Sequence, residues 1–226
     1  MNEPLKAVRV WDLPTRIFHW LLAACVVGSV ISAKVGGNAM AWHFRLGYVV
    51  FTLLAFRILW GLVGGRWSRF ASFVYAPATV VRYLRGQAGP NEHLDVGHNP
   101  LGAFSVFGLL ALLAAQVGTG LFADDDISNT GPLIKFVSGA TSSLLTKWHK
   151  NFGQWLVMVL VLLHVGAIIF YFVKKNRNLV RPMLTGDKQL PARVPASVDR
   201  PATRGLALVL AAVCAALVAW LVSLGG

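Results

Sequence analysis

The stretch WHKNFGQWLVMVLVLLHVG, residues 148–166, is an apolar run that carries a histidine near each end, His149 and His164. A run of this length and hydropathy predicts a helix that spans a lipid bilayer. The two histidines are fifteen residues apart, which is about 22 Å along a helix and about 60° past four full turns. Both imidazoles are therefore expected near one face of the helix, at two different depths.

Four more runs are long and apolar enough to span a bilayer, and lipid offers no partner for open backbone groups, so all five are predicted to be helical. The predicted spans are Ile17 to Ala33, Trp42 to Val63, Leu101 to Phe122, Trp148 to Val173 and Leu206 to Leu224. The composition agrees, because 56% hydrophobic and 13% charged residues are unlike a water-soluble domain. We predict an all-α membrane protein with a four-helix transmembrane domain at 1–181, a cytoplasmic linker at 182–204 and an additional transmembrane helix at 205–226.

The net charge of +12 is best explained by membrane topology, and no nucleic-acid partner is expected. Lys and Arg gather before the first span, between the second and third, and between the fourth and fifth. The positive-inside rule assigns these segments to the cytoplasm, so the N-terminus is predicted inside and the C-terminus outside. Two shorter helices are also expected, at Ala76 to Arg85 and at Ile134 to Leu145.

Cysteine chemistry receives no support from the sequence. Cys25 and Cys214 both lie in apolar runs, and no C-x-x-C-H motif occurs. A disulfide framework, a thiolate zinc site and covalent haem attachment are therefore all disfavoured.

Four of the six histidines fall within the predicted spans: His19, His43, His149 and His164. An ionisable side chain at membrane depth is costly and is a candidate functional residue. The topology matches these histidines by depth, His19 with His164 near the cytoplasmic side and His43 with His149 near the outer side. Two stacked pairs of this kind are the arrangement that holds two b-type haems, each iron taking one imidazole from each of two helices.

Glycines and cations near these histidines suggest how a macrocycle is accommodated. Gly47 and Gly153 each follow an outer histidine by four residues, one turn along the same helix face, where a missing side chain leaves room. Haem propionates are candidate partners for three cations, Arg45 and Lys150 at the outer site and Arg57 at the inner one. The alternatives are close helix packing for the glycines and contact with lipid headgroups for the cations.

The local motifs resemble those of the bacterial cytochrome b561 family, which includes the b-type subunits of nickel-iron hydrogenases. The resemblance spans about Val10 to Arg181 and rests on RIFHW, WHFRLG, HNPLG, WHKNFG and VLLHVG. It implies two non-covalent haem b groups, with His19 and His164 on the inner iron and His43 and His149 on the outer iron. The long basic loop after the second span and the fifth span depart from the shortest members of the family.

The resemblance implies electron transfer across the bacterial inner membrane, between the quinone pool and a periplasmic redox protein such as a c-type cytochrome or a hydrogenase. Whether the chain is itself a quinone-linked oxidoreductase, and whether it is oligomeric, stays open. The alternatives are a superoxide:quinone oxidoreductase on the same scaffold and, in another class, a haem-free transporter or membrane anchor. The candidate proton acceptors for quinone chemistry are Asp124 to Asp126 with Lys135 and Lys147 outside, or His98 and Arg69 inside.

Overall fold

Eight α-helices and two short strands make up the regular structure of the computed structural model, which describes residues 4–89, 92–127 and 129–225. The helices are α1 (Leu13–Val35), α2 (Met40–Val63), α3 (Pro77–Leu84), α4 (Pro100–Gly120), α5 (Gly139–Lys147), α6 (Gln154–Lys175), α7 (Val180–Thr185) and α8 (Pro201–Ser223). The strands are β1 (Leu5–Arg9) and β2 (Asp187–Pro191).

The five predicted spans are confirmed as helices. Five continuous helical segments are long and apolar enough to cross a membrane: Leu13–Val35, Gly37–Val63, Pro100–Gly120, Gly139–Lys175 and Pro201–Ser223. Large apolar side chains on these segments are exposed, such as Leu162 at 68% and Leu208 at 73%. Such exposure is expected of helix faces that contact lipid, because lipid imposes no penalty on apolar surface.

The fourth span is longer than predicted. The sequence analysis begins it at Trp148, but α5, a wide π-helical turn at Trp148–Gly153 and α6 form one continuous segment, Gly139–Lys175. The short helix at Ala76 to Arg85 is confirmed as α3. The one expected at Ile134 to Leu145 is replaced by a 3₁₀ turn at Ile134–Phe136 and then α5.

The described residues form two compact units. The first draws on Met1–Ile17, Arg57–Phe107 and Leu163–Leu208, and the second on Phe18–Phe56, Gly108–Leu162 and Val209–Gly226. In the second unit a buried apolar cluster joins α1, α2, α4 and α6: Cys25, Val50, Leu54, Leu113 and Val157.

In the first unit, residues that the sequence analysis treats as a linker are ordered and packed. β2 pairs antiparallel with β1, with Leu5 opposite Pro191 and Arg9 opposite Asp187. Gly186 ends α7 at φ 93°, a left-handed conformation that favours glycine, and its carbonyl accepts hydrogen bonds from the chain after β1. The segments LKAVR and DKQLP are too short and too polar to predict strand pairing across the length of the chain.

The first unit also contains a buried carboxylate, that of Asp12, which is 1% exposed. It accepts four hydrogen bonds: from the backbone nitrogens of Thr15 at 2.8 Å and Gly65 at 3.0 Å, from Trp60 Nε1 at 3.1 Å, and from Ser68 Oγ at 2.8 Å. Asp12 thereby caps the N-terminus of α1 and ties it to the end of α2.

We expect Asp12→Asn to lower the free energy of unfolding by about 2 to 4 kcal/mol, because the new NH₂ group faces two donors that then lack an acceptor. Asp126→Asn makes the same chemical change at an exposed side chain and should cost less than about 0.5 kcal/mol. Denaturant unfolding in detergent micelles measures both values. Equal destabilisation by the two substitutions would contradict the role given to Asp12.

Candidate functional site

His43 and His149 lie together in the second unit. His43 is in the first turn of α2, and His149 is in the π-helical turn that precedes α6. Their ring centroids are 5.9 Å apart and the ring planes are nearly perpendicular, at 88°. The sequence-predicted pairing of these two residues therefore corresponds to spatial neighbours.

In each of these rings, Nδ1 is hydrogen-bonded to a main-chain carbonyl oxygen. His43 Nδ1 is 2.9 Å from the carbonyl oxygen of Ser29, and His149 Nδ1 is 2.9 Å from that of Gln116. A carbonyl oxygen only accepts, so each Nδ1 is the donor, and in the neutral form of the ring Nε2 keeps its lone pair. This is the usual state of a histidine that binds a metal, with the second nitrogen held by a carbonyl.

A cavity of about 460 Å³ adjoins the two rings. Its wall is largely apolar, with glycines, two cations and two carboxylates: Val26, Val30, Val50, Leu113, Val117 and Val157, then Gly36, Gly37, Gly47 and Gly120, then Lys34 and Lys150, then Asp124 and Asp125. A Cβ built on Gly47 would meet nothing within 4 Å, so this glycine borders open space. Cofactor sites are typically concave and mostly apolar in this way.

The spacing of the two ring centres is compatible with a metal between the two imidazoles. A metal–imidazole bond is about 2 Å, and adding about 1.1 Å from nitrogen to ring centre on each side gives centroids about 6.2 Å apart. The observed 5.9 Å is close to this value. The Nε2 lone pairs and the apolar wall suit a metal macrocycle such as haem, and Lys34 and Lys150 are the lining residues that would bind its carboxylates.

The structure gives the surroundings of three residues predicted around this site. Gly153 does not line the cavity, because its missing side chain accommodates Gln116, whose Oε1 lies 1.9 Å from the position that a Cβ would take. Arg45 is exposed, and its guanidinium lies over the ring of Trp42 at 5.2 Å. Lys150 lines the cavity. Contact of either residue with a propionate stays a prediction.

Arg57 belongs to the first unit, where it is 2% exposed. Its Nη2 donates to the carbonyl oxygen of Ser68 at 3.0 Å, and its guanidinium lies 4.6 Å from the ring centre of Phe70. These contacts come from the turn that follows α2. Contact of Arg57 with a propionate stays a prediction.

The remaining two histidines occupy separate units. His164 is on α6 in the first unit, and Ser105 Oγ on α4 lies 3.5 Å from its Nδ1. His19 is on α1 in the second unit, where its ring packs edge-on against Trp20 at 5.0 Å. Their pairing stays a prediction.

The candidate proton acceptors are divided between the two units. Asp124 and Asp125 line the cavity beside His149. His98 lies in the first unit between the rings of Trp11 and Phe73, at 4.7 and 4.5 Å. The other candidates stay as predictions: Asp126, Lys135, Lys147 and Arg69.

A polar cluster in the first unit was missed by the sequence analysis. Tyr83 donates to Asp95 at 3.1 Å and approaches the hydroxyl of Tyr171 at 3.4 Å, while Arg177 pairs with Asp95 at 2.9 Å. Burial and the Tyr171 hydrogen bond raise the pKa of Tyr83, and the Asp95 hydrogen bond raises the pKa of Arg177. Burial lowers the pKa of Lys188, which donates to the Asp95 carbonyl, to about 8. The members come from distant parts of the chain, so no local motif marks them.

Helices long enough to span a membrane, with two histidines beside a largely apolar cavity, are typical of helical membrane haem proteins. Comparison with family models matches residues 10–186 to the prokaryotic cytochrome b561 family. The chain belongs to this family, and the resemblance drawn from the sequence motifs is confirmed.

Curated relatives agree with this assignment. A probable Ni/Fe-hydrogenase B-type cytochrome subunit of Cupriavidus necator is 29% identical over 82% of this chain and 88% of its own length. A probable Ni/Fe-hydrogenase 1 B-type cytochrome subunit of Escherichia coli K12 is 24% identical over 78% of this chain and 88% of its own. No solved structure matches the chain significantly.

The chain is therefore a multi-pass membrane cytochrome with haem b as its cofactor, and its general function is electron transfer in the membrane. The alternative of a haem-free transporter or anchor does not agree with this family membership.

We expect Gly47→Leu to lower the haem b content of the purified protein by about half, because the new side chain projects into the cavity and overpacks it. Gly205→Leu is the matched control, since Gly205 also has nothing within 4 Å of a built Cβ but does not line the cavity. The pyridine haemochrome assay, normalised to protein, measures the content. Full haem content in Gly47→Leu would exclude this cavity as a haem site.

Proposed function

We propose that the protein carries electrons across the bacterial inner membrane through two haem b groups. One is held by His43 and His149 and the other by His19 and His164. The observation that carries the proposal is the His43–His149 pair, with its 5.9 Å ring spacing and its protonated Nδ1 atoms. The second pair rests on the sequence spacing and on the family resemblance.

When bound, each haem supplies a one-electron carrier, and two imidazole ligands leave its iron no open position for oxygen or substrate. The chain's own residues orient the imidazoles and keep water from the pocket through the apolar wall of α1, α2, α4 and α6. Lys34 and Lys150 line the cavity together with Asp124 and Asp125, and the two lysines would bind carboxylates of the cofactor.

The proposed orientation has the N-terminus in the cytoplasm and the C-terminus in the periplasm. It is supported by the Lys and Arg of the segments after α2 and α6, which the positive-inside rule assigns to the cytoplasm. The His43–His149 pair then belongs to the periplasmic half of the membrane, and the His19–His164 pair to the cytoplasmic half.

The proposed electron donor or acceptor within the membrane is the quinone pool. The proposed partner outside is a periplasmic redox protein, either a nickel-iron hydrogenase or a c-type cytochrome. The hydrogenase is supported by the relatives from Cupriavidus necator and Escherichia coli, which are described as probable Ni/Fe-hydrogenase B-type cytochrome subunits. The domain division into a four-helix haem domain and an additional helix is part of the same proposal.

The ligand pairing predicts a pattern of haem loss. His43→Ala and His149→Ala should each lose one haem, and the double variant should lose no more than either single one. His43→Ala combined with His164→Ala should lose both, because one ligand is removed from each site. Haem-to-protein ratios and the reduced α-band of the visible spectrum measure the losses.

His93→Asn is the control for that series, since His93 lies in a loop between α3 and α4 and asparagine tolerates its positive φ of 50°. It should retain the full haem content. Retention of both haems in His43→Ala or in His164→Ala would contradict the ligand assignment.

Transmembrane electron transfer is tested in proteoliposomes that enclose ferricyanide and receive a lipid-soluble quinol from outside. The unaltered protein should reduce the enclosed ferricyanide, and His43→Ala and His164→Ala should each fall to the rate of protein-free vesicles, because either loss breaks the path. His93→Asn should keep the original rate. Unchanged rates in the two ligand variants would refute the proposed path.

A further inference from the structure

α4 contributes no histidine to the site, yet it makes most of the contacts that hold His149. Gln116, Thr119 and Gly120 are at positions i, i+3 and i+4 of this helix and therefore share one face. A Cβ on Gly120 would lie 3.1 Å from His149 Cε1, so the ring passes directly over the helix surface at this glycine.

Gln116 contacts His149 at two points. Its main-chain carbonyl accepts the Nδ1 proton of the ring at 2.9 Å, and its side-chain Nε2 donates to the main-chain carbonyl of His149 at 3.0 Å. Thr119 Oγ1 lies 3.2 Å from the same Nδ1 and donates to the Gln116 carbonyl at 3.0 Å. Both the ring and the backbone of His149 are thus fixed to one residue of α4.

The second contact depends on the π-helical turn at Trp148–Gly153. In this turn the backbone N–H of Gln154 reaches the carbonyl of His149, five residues earlier, so the helix is locally widened. Turns of this type occur often at functional sites. Gln116 donates to that same carbonyl from the neighbouring helix.

Gly153 makes room for the glutamine side chain. A Cβ at this position would lie 1.9 Å from Gln116 Oε1 and 2.5 Å from Trp148 Cζ3. The glycine four residues after His149 therefore admits Gln116 to the backbone of the turn. It does not border the open cavity, in contrast to Gly47.

We infer that Gln116 is a positioning residue, whose side-chain amide fixes the backbone of the turn that carries His149 and thereby sets the orientation of this ring as a haem ligand. The inference deepens the proposed function and rests on it, because it takes His149 to be a ligand. A hydrogen bond from Nδ1 to a carbonyl raises the basicity of Nε2, so it strengthens binding to the iron and favours its oxidised state.

The test uses Gln116→Met, which keeps the length of the side chain and removes its amide. Haem transfer from the purified full-length protein to excess apomyoglobin measures the dissociation rate of each haem. We expect one haem to leave about 10- to 100-fold faster, the usual effect of losing a contact that orients a ligand. Gln116→Met keeps the main-chain carbonyl that accepts the Nδ1 proton, so any change reports the side-chain contact alone. The same haem should show a shifted midpoint potential and a shifted low-spin ferric signal in electron paramagnetic resonance, because the ring is no longer held in one orientation.

Gln189→Met is the matched control, since it makes the same change at an exposed glutamine on β2. It should match the unaltered protein in dissociation rate, potential and spectrum. Gly153→Ala is a second variant that leaves the amide in place but displaces it from the turn. Gly153→Ala should also speed the dissociation of the same haem. If Gln116→Met fails to accumulate, Gly153→Ala tests the positioning role in its place.

The outcomes separate this inference from the proposed function. If His149→Ala loses one haem while both haems of Gln116→Met behave as in the unaltered protein, the positioning role is overturned and the ligand assignment stands. If His149→Ala retains both haems, the inference and the ligand assignment are both overturned. A change in one haem of Gln116→Met, with Gln189→Met unchanged, supports the inference.

Discussion

Two hydrogen bonds from ring nitrogens to main-chain carbonyls define the chemistry of the His43–His149 pair. An imidazole at membrane depth has no water to satisfy it, so its N–H must find an acceptor within the protein. The carbonyls of Ser29 and Gln116 supply that acceptor at 2.9 Å in each case. Because these carbonyls hold the Nδ1 protons, both Nε2 lone pairs stay available to a metal. The adjoining cavity is the space in which a metal macrocycle would bind.

The same requirement explains where the structure is polar. The faces of the span-length helices carry exposed apolar side chains, whereas the polar contacts of Asp12 and of the histidine pair are buried or partly buried. In the first unit the Asp12 carboxylate accepts four hydrogen bonds, from α1, the end of α2 and the turn that follows. In the second unit the donors and acceptors surround the histidine pair. The Asp12 carboxylate and the Nδ1 atoms of His43 and His149 therefore have protein partners that lipid cannot provide.

Membership of the cytochrome b561 family connects this geometry to electron transfer. The family requires helices that hold haem b without covalent bonds, so the protein must supply ligands, space and counter-charge from its own side chains. His43 and His149 fit the first requirement, Gly47 and the apolar wall the second, and Lys34 and Lys150 the third. These features occur on four different helical segments and so depend on how the second unit packs.

Hydropathy alone was sufficient to predict the five spans, since a bilayer needs about 20 apolar residues in each helix. The spacing of His149 and His164, together with the topology, also led to the pairing of His43 with His149.

Side-chain placement was not available from local sequence. Gly153 accommodates Gln116, and Arg45 lies over Trp42, and no local pattern indicates either contact. The pairing of β1 with β2 joins segments nearly the whole chain apart. Periodicity and hydropathy indicate which segments lie in lipid and which in water. Contacts between distant segments form only when the chain packs. Those contacts decide which hydrogen-bond partner a polar group has, so only the tertiary structure shows them.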